Sequence, residues 1–185
     1  RAPAKAGAVS LADYLRGLEQ RLCVELVRRE TLPRVAQMHQ RTNQFNLTSI
    51  RLTESELGGM VEDASSHVAM LGRVSDRFGD HGIVIAATAR LEGDCAQILT
   101  FLMSCRVIGR EVENAFLGAL LFELEKRGVR TVKGTYVASP KNAQCRDFYA
   151  SAGFRPVSSE PSRSDWLWTF GEAELPRSAA VTTRW

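Results

Sequence analysis

The sequence predicts an α/β fold in which a mixed central sheet of about seven strands is flanked by helices. Three observations predict it. Strand-like and helix-like apolar periods follow one another along the whole chain in the order β-α-α-β-β-β-α-β-α-β-β. The middle of the chain, residues 67 to 105, carries three successive strand patterns separated by turn residues, an antiparallel meander. A helical period from Arg110 to Gly128 then leads into another strand pattern, Val129 to Val137.

Residues 1 to 21 read as a linker and an N-terminal helix. The opening Arg1-Ala-Pro-Ala-Lys-Ala-Gly-Ala8 has the small-residue composition of a linker and does not begin with Met, which suggests a piece of a longer protein. Ser10 can cap a helix over Leu11, Tyr14, Leu15 and Leu18. The main domain is expected over residues 22 to 171. Leu22 to Val27 reads as a strand, and Thr31 with Pro33 just inside opens a helix that runs to about Gln44. A loop, Asn43 to Thr48, leads to Thr53-Glu-Ser-Glu56, whose Thr followed three residues later by Glu has capping-box spacing. His67 to Val74 and Gly82 to Leu91 are strand patterns joined by the turn-rich Asp76-Arg-Phe-Gly-Asp-His81, and Glu92-Gly-Asp94 turns the chain into Ala96 to Cys105. Val112, Ala115, Phe116, Ala119, Leu120 and Leu124 share one helical face, which Gly128 ends. Val129 to Val137 is the next strand, Ser139 to Tyr149 a helix closed by Gly153, and 154 to 157 and 165 to 170 the last strands. Residues 172 to 185 read as an irregular tail.

Composition narrows the function. With 185 residues and 44% hydrophobic content the chain can bury one sizeable core. The net charge of +3 is far from the dense cationic stripe that nucleic-acid binding needs. No apolar run reaches the ~18 residues of a membrane span. The four cysteines form no C-x-x-C pair and only three histidines are present, so no zinc-ligand spacing exists and no metal site is expected. These features predict a cytoplasmic protein with free thiols.

Two segments resemble the Gcn5-related N-acetyltransferase (GNAT) superfamily. Arg106-Val-Ile-Gly109-Arg110-Glu111 is similar to the R/Q-x-x-G-x-G/A loop that binds the pyrophosphate of coenzyme A or the phosphate of phosphopantetheine. A glycine there lets backbone approach an anion at the start of the next helix. The departure is Glu111, which puts a negative charge where the pattern has Gly or Ala. Asn142 to Phe154 looks like the superfamily's N-x-x-A-x-x-x-Y-x-x-x-G-F segment, whose tyrosine protonates a departing thiolate. The resemblance gives Tyr149 that role.

Longer runs resemble the C-terminal, GNAT-like half of the FkbH-like glyceryl transferase/phosphatase family of polyketide pathways. They are Leu32 to Gln37 with Arg41 to Thr48, Val74 to Asp80, and Thr100 to Arg110. The resemblance implies transfer of a three-carbon glyceryl group from 1,3-bisphosphoglycerate to the phosphopantetheine arm of an acyl carrier protein, with a phosphatase domain of the parent protein or pathway as second partner. The phosphatase half's Asp-x-Asp-x-Thr motif does not occur here. No tightly bound cofactor is expected, and coenzyme A is the alternative to the carrier's arm.

On this reading Cys105, at the carboxyl end of its strand, meets the arm where that strand and the next splay apart, and takes the acyl group as a thioester. Arg106, Arg110 and the helix start would favour the thiolate. The alternative is a small buried core residue. His81, in the turn between strands, could serve as base or be a solvated turn residue. Arg77 and Asp80 could bind the glyceryl group's hydroxyl or phosphate, or simply make the turn. Asn43, Gln44 and Asn46 could line the acyl pocket, or cap the preceding helix. Lys141 and Arg146, near the start of the last helix, could meet the phosphate of the arm or an acidic helix of the carrier, or form a solvated basic face. Arg106, Gly109, Arg110 and Asn142, in the segments that resemble the superfamily, are further candidates for binding the arm. Two other functions fit the same segments: an acyl-coenzyme A dependent N- or O-acyltransferase, and a non-catalytic module that docks the carrier protein.

Overall fold

The computed structural model of the chain describes residues 10–185; the linker reading of residues 1 to 8 lies outside them. In chain order the elements are α1 (Leu11–Gly17), β1 (Gln20–Leu26), α2 (Leu32–Arg41), β2 (Phe45–Asn46), α3 (Glu54–Glu62), β3 (His67–Asp76), β4 (Gly79–Glu92), β5 (Cys95–Met103), α4 (Val112–Lys126), β6 (Thr131–Val137), α5 (Phe148–Ser151), β7 (Arg155–Ser159), β8 (Arg163–Thr169) and β9 (Val181–Arg184). Single 3-10 turns cover Cys105–Val107 and Ala143–Cys145.

Local sequence sets several of these boundaries. Ser10 accepts the Asp13 N–H, and Thr53 and Glu56 make a complete capping box at the start of α3. α4 carries its apolar face with the expected residues and ends where Gly128 takes a positive φ of 84°. The strands form one sheet in the order β7-β8-β6-β5-β4-β3-β1-β9, with β2 paired to β5. β5 with β6 and β1 with β9 are parallel, and the remaining pairs are antiparallel, so the sheet is mixed as expected.

Helices cover both faces. Phe116, Leu117 and Leu120 of α4 pack with Phe101, Phe148, Tyr149 and Trp168 in the larger core. Val35 and Met38 of α2 and Leu57 of α3 pack with Ala69, Leu71 and Leu102 on the opposite face. Burying each large side chain fully contributes about 1.5–3 kcal/mol, so the two layers hold the sheet from both sides.

Four elements differ from the sequence reading. The helix read over Ser139 to Tyr149 is instead a loop, the 3-10 turn Ala143–Cys145 and the four-residue α5. The stretch read as an irregular tail contains β9, which extends the sheet beside β1; Pro176 crosses α4 so closely that a Cβ on Gly118 would lie 2.0 Å from the Pro176 carbonyl oxygen. The loop after α2 contains β2, a two-residue strand too short to have a period of its own. The turn between β3 and β4 is only Arg77-Phe78, with Asp76 paired to Gly79. Asp80 and His81 therefore sit in a strand, where cross-strand pairing outweighs their turn-forming chemistry.

Candidate active site

At one end of the sheet a cleft of about 790 Å³ opens between α2, the following loop and the end of β5. Arg34, Gln37, Met38 and Arg41 of α2, Thr42, Asn43 and Gln44 of the loop, Met103, Ser104, Cys105 and Arg106 after β5, and Lys141 line it. Among the described residues its lining holds three arginines and a lysine and no acidic side chain. With low-dielectric walls, such a lining focuses a positive field on anything that enters. Cys105 is exposed and free, and starts the 3-10 turn that follows β5 rather than ending the strand. Ser104 holds that turn by accepting from the backbone N–H and the Nε–H of Arg106.

Of the residues singled out from sequence, Cys105, Asn43, Gln44, Arg106 and Lys141 thus come together at the cleft. Asn43 has its carbonyl turned to Arg51, which also binds the end of α2 through the His39 and Gln40 carbonyls, so the loop is held in place from behind.

The others do not join them. His81 donates from Nε2 to Asp76 Oδ2 at 2.8 Å, and Arg110 donates to the same oxygen at 2.8 Å. The Asp76 side chain is 1% exposed. Burial alone would raise it, but the bonds from His81, the Phe78 N–H and Arg110 outweigh burial and bring its carboxyl down to about 2. This cluster ties the β3–β4 hairpin to the loop before α4, and neither His81 nor Arg110 lines the cleft; both are corrections to their expected roles. Sequence reasoning passed over Asp76 as turn chemistry, although an acid five residues before a histidine on a hairpin was a usable signal. Arg77 stacks on the Phe78 ring at 4.9 Å and donates to the Gly17 carbonyl, while Asp80 accepts the Gly82 N–H. Both serve the hairpin and not an acyl pocket.

Asn142 is fully buried, and each of its polar atoms is bonded within the chain. Its Nδ2 donates to the Asn46 carbonyl at 2.8 Å and the Val137 carbonyl at 2.9 Å; its Oδ1 accepts from the Ser139 N–H and the Tyr136 hydroxyl. Asn46 is buried too, its Oδ1 accepting the Ser49 N–H. Neither side chain faces a ligand, because loop closure uses their amides first. Tyr149 lies in the α4-side core. Its hydroxyl is buried and has no partner among the described residues, and burial pushes it far above the usual phenol range. The ring fills the space over Gly134, where a Cβ would be 2.5 Å from ring carbons.

The gap between β5 and β6 is the place where the resemblance seats a pantetheine arm. The two strands pair only over Cys95–Gln97 and Thr131–Lys133, and beyond that they diverge. Leu47 bridges the gap. Its N–H donates to the Phe101 carbonyl of β5 at 3.1 Å and its carbonyl accepts the Val137 N–H of β6 at 2.8 Å, while Thr48 donates to the Leu99 carbonyl at 3.0 Å. At the other end of the expected coenzyme A site, Glu111 caps α4 in the left-handed region at φ 62°, with its carboxylate accepting from Ser178 at 2.7 Å. Glu113 in the same turn is raised by its burial, with the neighbouring Glu111 adding to it. Gly109 keeps the positive φ of 78° that the loop motif requires. Chain thus bridges the gap between β5 and β6, and the loop that resembles the phosphate-binding motif ends on a carboxylate bonded by Ser178.

No protein-family model matches the chain, and no curated protein matches it. Solved structures do. Ribosomal-protein-S18-alanine N-acetyltransferase from Escherichia coli superposes with a TM-score of 0.62 at 17% identity, covering 82% of this chain and 96% of that one. PaiA N-acetyltransferase from Thermoplasma acidophilum, solved with coenzyme A, gives 0.64 at 10% identity, covering 80% and 99%. A protein from Desulfovibrio desulfuricans assigned to the GNAT family gives 0.59 at 11% identity, covering 81% and 98%. The fold is the GNAT fold.

Within that fold, the cationic cleft with Cys105 opens at one end of the sheet. Among the described residues no helix is long and apolar enough to cross a membrane, and no group of three or more His, Cys, Asp or Glu side chains could hold a metal ion.

Proposed function

We propose that this GNAT-fold domain is an acyltransferase that takes a polar three-carbon acyl group, of glyceryl type, onto Cys105 and passes it to the phosphopantetheine thiol of an acyl carrier protein. One observation carries the reading: an exposed thiol on a cleft whose charged side chains are all cationic. The acetyltransferases of the same fold support the class of reaction. The long runs similar to FkbH-like proteins support the acyl group, the carrier and a partner phosphatase.

The chemistry follows from the groups at the cleft. The Cys105 thiolate attacks the carbonyl carbon of 1,3-bisphosphoglycerate; the C–S bond forms as the C–O bond to phosphate breaks, and inorganic phosphate leaves with the electron pair. Arg41, Arg106 and Lys141 supply charge-assisted donors to the phosphates, and arginine does so with a bidentate fork. The remaining phosphate of the donor is removed by the partner phosphatase. The carrier's thiolate then attacks the Cys105 thioester, one C–S bond replaces another, and the Cys105 thiolate is released. Because one thioester replaces another, the exchange is nearly balanced in energy. The Asn43 Nδ2 and the Gln44 amide, both on the cleft lining, bond hydroxyls of a polar acyl chain in this reading.

Intact-protein mass spectrometry after incubation with 1,3-bisphosphoglycerate, a matching phosphatase and an acyl carrier protein tests the proposal. A glyceryl adduct on the domain that transfers to the carrier is expected, and Cys105→Ser removes both adduct and transfer. Glycerylated carrier beside a domain that is never modified overturns it. A second reading, an acyl-coenzyme A dependent N- or O-acyltransferase, is favoured by the coenzyme A found with the similar fold of PaiA; in that case Cys105→Ser leaves turnover intact.

A further inference from the structure

We infer that residues 45 to 48 of this chain take the place of a pantetheine arm between β5 and β6, so that coenzyme A does not enter that gap and a thiol acceptor reaches Cys105 only through the cationic cleft. The first part stands whether or not Cys105 is the nucleophile; the second rests on the proposed function.

The physical argument starts from the backbone. Two parallel strands that diverge expose N–H and C=O groups on their facing edges, and buried groups of this kind must find partners. An extended ligand bearing amides can supply them, as in strand addition to a sheet edge. In this domain the supply is internal. Leu47 gives its N–H to β5 and its carbonyl to β6, and Thr48 gives its hydroxyl to β5. Phe45 and Asn46 pair with Met103 and Leu102. Phe45, Asn46 and Leu47 are all buried, and the Phe45 ring stands edge-on to Phe148 at 5.4 Å. The segment is thus packed as part of the core.

A latch holds it. Asn142, the residue that begins the segment resembling the GNAT consensus, spends its side-chain amide on the Asn46 and Val137 carbonyls, joining the inserted segment to the end of β6. At the pyrophosphate end of the expected site the same substitution of chain for ligand recurs, since the Glu111 carboxylate stands at the start of α4 and is itself bonded by Ser178 of the C-terminal segment. Displacing residues 45 to 48 would break hydrogen bonds to both strands and expose two aromatic or aliphatic core side chains, a cost that pantetheine's amides would have to repay in full.

NMR-detected amide exchange on the domain, alone and with millimolar coenzyme A, tests this. The Leu47 and Val137 amides are expected to be as protected as those of central β4, and coenzyme A is expected to leave them unchanged, with calorimetry giving a Kd weaker than about 1 mM. Binding elsewhere that leaves both amides protected agrees with the inference. Micromolar binding that speeds exchange at Leu47 or Val137 about tenfold or more, or free exchange at those amides without ligand, overturns it. Asn142→Ala should raise exchange at both amides about tenfold while central β4 stays protected; an unchanged latch variant counts against the latch, and the parent protein's exchange still decides the rest. Failure of Cys105→Ser to abolish acyl loading would refute the proposed function without touching these amides.

Discussion

Cys105 and Tyr149 were both expected at the chemistry, and their surroundings differ in every respect that governs reactivity. Cys105 follows β5 on a turn, exposed, with Arg41, Arg106 and Lys141 around the same cleft. Tyr149 is packed on the α4 side among Phe148, Phe154 and Gly134, with its hydroxyl sealed from water. Burial raises a phenol in that setting, so it holds its proton more tightly than a solvated one. The comparison teaches that a motif can mark a residue that the fold then buries, and access is what chemistry needs.

The largest effect that sharpens this contrast is in thiol reactivity. Cys145, next to the cleft but buried and donating to the Gln44 carbonyl, has its thiol pushed up to about 12 by burial. At pH 8 iodoacetamide should label Cys105 about 100-fold faster than Cys145, read by peptide mapping; equal rates would mean that the cleft opens to its floor. Next comes the Tyr149 side. Gly134→Ala forces a methyl into the Tyr149 ring and should cost about 1–3 kcal/mol in urea unfolding, with Cys105 labelling unchanged. A neutral Gly134→Ala would show that the ring is free to move toward the cleft. Removing charge from the cleft should act oppositely: Arg41→Ala with Arg106→Ala should raise KM for 1,3-bisphosphoglycerate about tenfold and leave the urea midpoint where it was. Smallest is Tyr149→Phe. Deleting a buried hydroxyl that has no partner should change stability by no more than about 1 kcal/mol and acyl loading by less than about twofold. A large loss of transfer in Tyr149→Phe would restore the phenol as an acid and break the comparison.

Most of the fold could be read in the sequence because it is written in local terms. The meander from His67 to Met103, the apolar face of α4 and the Thr53–Glu56 capping box each depend on spacing within a few residues. The site was legible in part. Cys105, Arg106, Lys141, Asn43 and Gln44 do share one cleft, and the runs that resemble known sequences marked two of the three segments from which they come, Lys141 standing one residue before the run that begins at Asn142. Misread residues share one cause: other groups of the chain claim their hydrogen bonds before any ligand could. Arg110 and Asn142 find those partners 34 and 96 residues away, whereas His81 and Asn46 find theirs within five residues. Nothing in the local pattern of Phe45 to Thr48 announces a strand, since its partners lie more than fifty residues away.

By itself, then, the sequence determined the class of fold, most of the order of its elements and two of the segments that line the cleft, because periodicity, caps and turn residues act over a few positions. Only the tertiary structure decided that Tyr149 is sealed in the core, that Asp76 holds His81 and Arg110 together, and that the chain's own backbone fills the gap between β5 and β6. Each of these is a contest among distant groups for the same buried hydrogen bond or the same volume, and such contests are settled only when the chain has closed on itself.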